Sequence, residues 1–182
     1  MDIRFTILGL LNWQSLSGYD LKRIIADSDL FYWSGNNNQI YNVLVDLHKQ
    51  GYVSQVIQYQ ESLPAKKIYS ITPAGQAELR AWLRSDPELP EFRNNFLIQL
   101  AWMDELSGDE LDACLARYAQ EIAIQLQMRQ AQIERSSNIP NRTPRERFLW
   151  TRINENLVNT YRQELEWVTR LQSDLKKQTN ST

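Results

Sequence analysis

Residues 51–75 read GYVSQVIQYQESLPAKKIYSITPAG, and this stretch decides the predicted fold. Two runs rich in Val, Ile and Tyr, 53–59 and 66–71, lie on either side of a polar turn segment, which is typical of a two-stranded hairpin. Thr72–Pro73 then provides a helix N-cap and a proline at the first helical position, so a helix is predicted to follow directly and to end near Asp86–Pro87. The stretch therefore predicts a strand–turn–strand–helix unit.

Three helical patterns precede this unit. Apolar residues at helical spacing predict a short helix that ends near Trp13, a second helix capped by Ser17, and a third helix that ends at Gly51. The third helix carries the apolar stripe Ile40, Val43, Leu44 and Leu47. Three helices, a hairpin and a closing helix within residues 1–86 predict a winged helix-turn-helix domain with a two-stranded wing.

Residues 87–182 differ in kind, because they carry long helical stripes. Apolar residues at helical spacing predict a first helix from Asn94 to Leu106. One stripe follows Ser107 and Glu110, and a second follows Thr143 and Glu146, and both pairs have capping-box spacing. Two long helices that pack only on each other cannot bury apolar stripes this wide. We therefore predict an all-α domain of long antiparallel helices that dimerises. The alternative is that the stripes pack only on the chain's own N-terminal half. The predicted dimerisation residues are Leu111, Leu115, Tyr118, Ile122, Leu157, Tyr161, Leu165, Trp167, Val168 and Leu171.

The predicted fold class is therefore mainly α, and the composition narrows the function. The net charge of the 182 residues is -2, so any charge-driven binding has to be local. One histidine, His48, and one cysteine, Cys114, are too few for a typical zinc site, and we expect neither a metal nor a cofactor. Because no motif places two titratable groups as acid and base, we do not expect an enzyme.

Three features of the sequence indicate the cellular compartment of the protein. The first four, Met-Asp-Ile-Arg, lack the basic and then apolar run of a signal peptide. The longest apolar run, 7–13, is far shorter than the ~20 residues that span a bilayer. A single cysteine cannot form an intrachain disulfide, which fits a reducing compartment. We expect a cytoplasmic protein without a membrane segment.

Polar residues crowd the start of the third predicted helix. Asn and Gln side chains pair bidentately with adenine in the major groove, and the amides of a helix N-terminus favour phosphate. Basic residues on the second helix and at the base of the hairpin would add phosphate contacts that position the domain. The alternative is a solvated polar cap with ordinary surface lysines. The predicted DNA-binding residues are Asn36, Asn37, Asn38, Gln39, Asn42, Lys22, Arg23, Lys66 and Lys67.

Four motifs in this order resemble the N-terminal domain of PadR-type transcriptional regulators. They are ILGLL at 7–11, LSGYDL at 16–21, QIY at 39–41 and KIYSITPAG at 67–75. The Ser-Gly-Tyr form of the second motif and the aromatic run at 31–34 look most similar to the phenolic-acid-responsive members. Residues 92–176 resemble the C-terminal helical domain of long PadR proteins and of virulence-gene activators of the AphA type.

The resemblance adds Tyr41 to the predicted DNA-binding residues and implies a twofold-symmetric operator. It implies that Gln39 and Tyr41 meet DNA from the recognition helix and that the wing is basic at Lys66 and Lys67. It also implies that the C-terminal domain forms a homodimer, so the expected operator in double-stranded DNA is an inverted repeat. The sequence departs from the family at Asn36 to Asn38, which replace a Ser-Pro-Gly-like helix start, and at the wing tip, which lacks Arg and Lys.

These features together predict a dimeric, sequence-specific DNA-binding transcriptional regulator. The resemblance implies a repressor that a small aromatic acid of the phenolic type relieves. Aromatic residues close to basic ones in the sequence supply the candidate effector residues, which are Arg93, Trp102 and Trp150. The alternatives are a transcriptional activator, or a winged-helix protein-interaction module without a small-molecule effector.

Overall fold

The computed structural model describes residues 3–28, 30–31, 38–59, 65–90, 94–135, 140 and 142–179. The chain forms two compact units, Met1–Leu89 and Pro90–Thr182. Among the described residues, helices dominate and all strands lie in the first unit, which confirms the predicted fold class. None of the described helices is long and apolar enough to span a membrane.

The described residues of the first unit form four helices and one small sheet. In chain order its elements are α1 (Ile3–Trp13), β1 (Leu16–Ser17), α2 (Gly18–Ala26), α3 (Asn38–Lys49), β2 (Val53–Gln58), β3 (Lys66–Ile71) and α4 (Pro73–Trp82). The strands are antiparallel in the order β1-β3-β2. The sequence predicted the β2–β3 hairpin, in which Val53 pairs with Ile71 and Gln58 with Lys66. It did not predict β1, because a two-residue strand has no alternation to detect.

The ends of these elements follow local chemistry. Ser17 caps α2 as predicted, because its Oγ accepts a hydrogen bond from the Asp20 amide at 3.1 Å and Asp20 accepts from the Ser17 amide in return. Gly51 ends α3 with a φ of +76°, a conformation that glycine adopts without strain. α4 stops before its predicted end near Asp86, because the Ser85 hydroxyl donates to the Trp82 carbonyl at 2.7 Å and competes with the helical bond.

One apolar core holds the first unit together. Its fully buried side chains come from α1, α2, α3 and β2, so each element around the sheet contributes to the same cluster. They are Ile7, Leu8, Leu21, Leu44, Leu47 and Val53. Burial on this scale is worth about 2 kcal/mol per large aliphatic side chain, which fixes the orientation of α3 within the unit.

Where the structure describes it, the second unit contains α5 (Asn95–Leu100), a 3₁₀ turn (Met103–Glu105), α6 (Gly108–Arg135) and α7 (Pro144–Thr179). α6 and α7 are antiparallel, since Leu115 shares a cluster with Val168 and the later residue Tyr118 contacts the earlier residue Glu164. The predicted capping box is present at the start of α6. The Ser107 Oγ accepts from the Glu110 amide at 3.4 Å, and the Glu110 carboxylate accepts from the Ser107 amide at 2.9 Å.

One helix prediction in this unit was wrong. The sequence favoured a continuous helix from Asn94 to Leu106, whereas α5 ends at Leu100 and the chain turns at Trp102. The break allows Met103 to join Phe96 in the buried cluster and leaves Trp102 73% exposed. Burial of the flexible Met103 side chain therefore outweighs the helical periodicity of this segment.

Candidate nucleic-acid interface

α3 has a surface that points straight away from the core. Ile40 and Leu44 are buried, so the opposite side of the helix is the side of Asn42, Val45 and Lys49. These three residues are exposed, Val45 at 46%. They are the outward face of α3, with an amide, a branched aliphatic group and a cation in a single line along the helix.

Gln39 and Tyr41 flank the outward face on its two sides, and both are exposed. The Tyr41 ring also packs on the start of α2. A Cβ added at Gly18 would lie 2.6 Å from Cε1 of Tyr41, so only glycine leaves room for the ring there. Tyr41 thus fixes α3 against α2 and still presents part of its ring to solvent.

The two wing lysines are in different environments. Lys66 Nζ lies 2.9 Å from a carboxylate oxygen of Asp20, whereas Lys67 is exposed. The hydrogen bond from the Ser17 hydroxyl and the ion pair with Lys66 hold the pKa of Asp20 below its usual value, against the opposing effect of burial. Sequence reasoning missed this ion pair, because it depends on β1 pairing with β3 across some fifty residues.

The remaining predicted DNA-binding residues are placed in part. Lys22 is half-buried and Arg23 is exposed on α2. Asn36, Asn37 and the side chain of Asn38 lie outside the described residues, and the backbone of Asn38 begins α3. The structure therefore brings Gln39, Tyr41 and Asn42 together on α3.

Val45 is the surface residue that sequence reasoning overlooked. The prediction considered the polar residues on the side of α3 opposite the apolar stripe, and it omitted the valine that lies between them. Its spacing was the available signal, because it lies three residues after Asn42 and four before Lys49, which places it on the same side of the helix.

His48 has a structural role at the end of α3. Its Nδ1 donates a hydrogen bond to the Val53 carbonyl oxygen at 3.0 Å, which links the end of α3 to the start of β2. Among the described residues, no group of His, Cys, Asp and Glu is arranged to hold a metal ion.

The predicted dimerisation residues lie largely inside the second unit. Leu115 and Val168 are fully buried, and five others pack around them in the same cluster: Leu111, Tyr118, Leu165, Trp167 and Leu171. Ile122, Leu157 and Tyr161 are half-buried. α6 and α7 thus bury much of their two stripes against each other.

Different apolar residues of the second unit remain exposed. One group lies on and after α5, and another lies on α6 and α7 toward the segment that joins them. The exposed residues are Leu97, Ile98, Trp102, Leu106, Ile124, Met128, Phe148 and Leu149.

A polar network closes the α5 end of this unit. The Tyr118 hydroxyl donates to Oε1 of Glu164 at 2.6 Å, and Nδ2 of Asn94 donates to the same oxygen at 3.1 Å. The Phe96 ring stacks on Tyr118 with centroids 3.6 Å apart. Burial and the bond to Glu164 raise the pKa of Tyr118 to about 12, so this hydroxyl remains a donor at neutral pH.

The candidate effector residues do not form one group. Trp150 precedes Val168 by about 27 Å along α7, at 1.5 Å per residue, whereas Trp102 adjoins Met103 in the cluster around Val168. Arg152 lies over the Phe148 ring at 5.1 Å and pairs with a neighbouring glutamate. Arg93 lies outside the described residues.

A winged helix-turn-helix unit with an exposed α3, followed by an antiparallel helical unit, is an architecture typical of winged-helix transcriptional regulators. Residues 7–81 match the family described as "Transcriptional regulator PadR-like family", and residues 92–176 match "Virulence activator alpha C-term". The chain therefore carries a domain of the PadR-like family, followed by a C-terminal domain of the virulence-activator type. The PadR-like family is a family of transcriptional regulators and not of enzymes.

A curated relative agrees with this assignment. The "Negative transcriptional regulator PadR" of Bacillus subtilis is 31% identical over 109 residues, which are 59% of this chain and 60% of the relative. The chain thus matches about three fifths of the length of this curated relative.

Solved structures share the fold. The crystal structure of Bacillus subtilis PadR in complex with operator DNA has a TM-score of 0.82 at 23% identity and covers 94% of this chain and 97% of its own. The complex of the same protein with p-coumaric acid has a TM-score of 0.75 at 22% identity, covering 96% and 98%. The Vibrio cholerae virulence activator AphA has a TM-score of 0.67 at 22% identity, covering 97% and 99%. The predicted PadR-type and AphA-type resemblances are confirmed.

Proposed function

We propose that this chain is a dimeric, sequence-specific DNA-binding transcriptional regulator, a repressor that leaves its operator when a small aromatic acid binds. The observation that carries DNA binding is the outward face of α3. Its amide can pair with a base edge in the major groove, and its cation can reach the adjacent phosphate. The operator complex of the Bacillus subtilis relative supports the same use of the fold.

Phosphate contacts come from the cations around α3. Arg23 on α2, Lys49 on α3 and Lys67 on β3 are all exposed. Since the net charge of the chain is -2, this local group has to provide the attraction to DNA. Three phosphates neutralised per subunit would give a steep dependence of affinity on salt.

A second copy of the chain completes the proposal. The apolar residues left exposed on α5, α6 and α7 are more numerous than the isolated ones that a monomer surface carries. We assign them to the dimer, with the half-buried Ile122, Leu157 and Tyr161 at the margin. A twofold axis then relates two α3 helices in successive major grooves, about 34 Å apart, and the operator is an inverted repeat.

Repression and effector binding are proposed by analogy with the Bacillus subtilis relative. Bacillus subtilis PadR is named a negative regulator and has been crystallised with p-coumaric acid. An effector releases DNA only if it binds the non-binding arrangement more tightly, by a few kcal/mol. Because Trp102 and Trp150 do not form one group, they are alternative candidates for contact with its ring. Release of labelled operator by p-coumaric acid is the test, with a Trp150→Leu variant to check the assignment.

The experiment for DNA binding begins with selection of a site from random duplex DNA by the full-length protein. Fluorescence anisotropy over a salt series then compares the selected site with a scrambled duplex, and light scattering gives the mass of the free protein. We expect a palindromic site, a preference of at least 10³-fold, and a dimer. Failure to enrich any site, or equal binding to both duplexes, would contradict the proposal. A reporter under the selected site distinguishes repression from activation.

One observation favours a second candidate, a winged-helix protein-interaction module. The edge strand β2 and the residue after it present Val56, Ile57 and Tyr59 to solvent, Tyr59 at 83% exposure. An apolar edge of this kind suits a protein partner. This candidate predicts weak binding to DNA of any sequence, so the same salt series separates the two.

A further inference from the structure

We propose that Val45 is a specificity-determining residue, which packs on the 5-methyl group of a thymine in each operator half-site. This inference rests on the proposed function and goes beyond it, because it assigns one base type to one side chain. It starts from an aliphatic side chain that lies in the middle of a polar, cationic surface.

The position of Val45 does not serve the fold. Its neighbours Leu44 and Leu47 are buried, whereas Val45 is 46% exposed between Asn42 and Lys49. Valine is also a poorer helix former than alanine, lysine or glutamate at an exposed site, because its χ1 freedom is lost against the preceding turn. Neither core packing nor helix propensity accounts for this residue.

Its stiffness suits contact with a fixed partner. A valine in a helix adopts essentially one rotamer, so the two methyl groups are held in place when α3 is held in place. The buried side chains of α3 and the contact of Tyr41 with Gly18 provide that anchorage.

The chemistry of the major groove then selects the partner. Thymine is the only one of the four bases that presents a methyl group there, whereas the others present only donors and acceptors. Asn42 lies about 4.5 Å from Val45 along the helix axis and on the same side of α3, so the two side chains face the same part of the groove. An amide that reads adenine and an aliphatic group that covers a thymine methyl would therefore act on nearby A·T pairs.

The test is a double-mutant cycle across the interface. Each thymine of the selected operator is replaced in turn by deoxyuridine, which removes only the methyl group, and the Kd is measured for the wild type and for Val45→Ala. We expect one thymine per half-site at which deoxyuridine weakens wild-type binding about fourfold, the equivalent of one buried methylene. At that position the Val45→Ala protein should bind both duplexes equally.

Two controls keep the result specific. Val56→Ala removes an exposed valine from the wing and should retain the full response to deoxyuridine. Circular dichroism should show Val45→Ala to be folded, since the side chain is exposed and alanine favours the helix. Loss of the response in both variants would overturn the assignment to Val45.

The outcomes separate this inference from the proposed function. A selected operator whose thymines all tolerate deoxyuridine, or a Val45→Ala protein that keeps the wild-type response, would overturn the inference and leave the DNA-binding function intact. If no operator is selected, the proposed function fails and the inference fails with it.

Discussion

Lys66 of the wing forms an ion pair with Asp20 of α2, with Nζ 2.9 Å from the carboxylate, while the adjacent Lys67 is exposed. The same carboxylate accepts hydrogen bonds from the amide and the hydroxyl of Ser17. The wing is thereby joined to the start of the helix that precedes α3. Two neighbouring lysines with the same charge should therefore have different roles.

The first prediction concerns the salt dependence of DNA binding. In Lys67→Ala the slope of log K against log salt should fall by about 0.9 per subunit, because one phosphate contact is lost. In Lys66→Ala the slope should stay near the wild-type value, because Lys66 is already paired with Asp20. Anisotropy titrations at four salt concentrations measure both. Equal loss of slope in the two variants would show that Asp20 releases Lys66 to DNA.

A second prediction follows from the depressed pKa of Asp20. Since the pKa of Asp20 in the folded protein is below the ordinary value of 3.8, the stabilisation by the ionised carboxylate is complete above that pH. It is lost as the pH falls through the folded pKa. The difference in unfolding free energy between the wild type and Asp20→Asn should be constant near neutral pH and shrink below pH 3.8.

Urea titrations across this range measure the effect, with Ser17→Ala as the companion variant. Because Ser17 provides the largest contribution to the shift, its removal should flatten the same pH dependence. A difference between wild type and Asp20→Asn that stays constant down to pH 2 would rule out this role of the carboxylate.

The ion pair also shows what could be predicted from the sequence. Local signals were sufficient for local features: the Ser17 cap, the Thr72–Pro73 helix start and the end of α3 at Gly51 were all predicted. The pairing of Leu16 with Tyr69, which brings Asp20 and Lys66 together, is not local and was missed.

For α3 and α5, prediction from the sequence failed for different reasons. Periodicity located the core side of α3, yet Val45 was passed over because a hydrophobic residue at a surface position breaks the expected pattern. In α5, burial of Met103 overrode the helical periodicity, and no local residue marks that choice. The predicted dimerisation residues lie on α6 and α7, but an apolar stripe does not reveal whether it packs against its own chain or against a second copy.

A third prediction compares two glycines. A Cβ at Gly75 would lie 2.1 Å from the Tyr52 carbonyl oxygen, a backbone atom, so Gly75→Ala should destabilise the first unit by about 1–3 kcal/mol. Gly9, in α1, has nothing within 4 Å of its Cβ position. Gly9→Ala should therefore stabilise the unit by about 0.5–1 kcal/mol. Urea denaturation measures both changes, and destabilisation by Gly9→Ala would contradict the packing around α1.

A fourth prediction concerns Tyr118. Tyr118→Phe removes the hydrogen bond to Glu164 and should destabilise the second unit by about 1–2 kcal/mol. Because the folded pKa is about 12, above the ordinary value of 10.0, the advantage of tyrosine is present below pH 10 and is lost as the pH rises toward 12.

Melting temperatures of the wild type and Tyr118→Phe at pH 8 and pH 11 measure this. Tyrosines that are common to both proteins cancel in the comparison. A gap between the two melting temperatures that does not narrow at the higher pH would mean that Tyr118 ionises as readily in the folded protein as in the unfolded chain.

The central claim is that the outward face of α3 recognises a DNA sequence, and Asn42 tests it most directly. The decisive measurement is the Kd of the wild type, Asn42→Ala and Asn156→Ala for the selected operator and for a scrambled duplex. Asn156 is an exposed helical asparagine of the second unit and serves as the matched control. Asn42→Ala should lose about 1–3 kcal/mol of operator binding, with little change on the scrambled duplex, while Asn156→Ala binds as the wild type. An Asn42→Ala protein that retains the full preference for the operator would contradict the account.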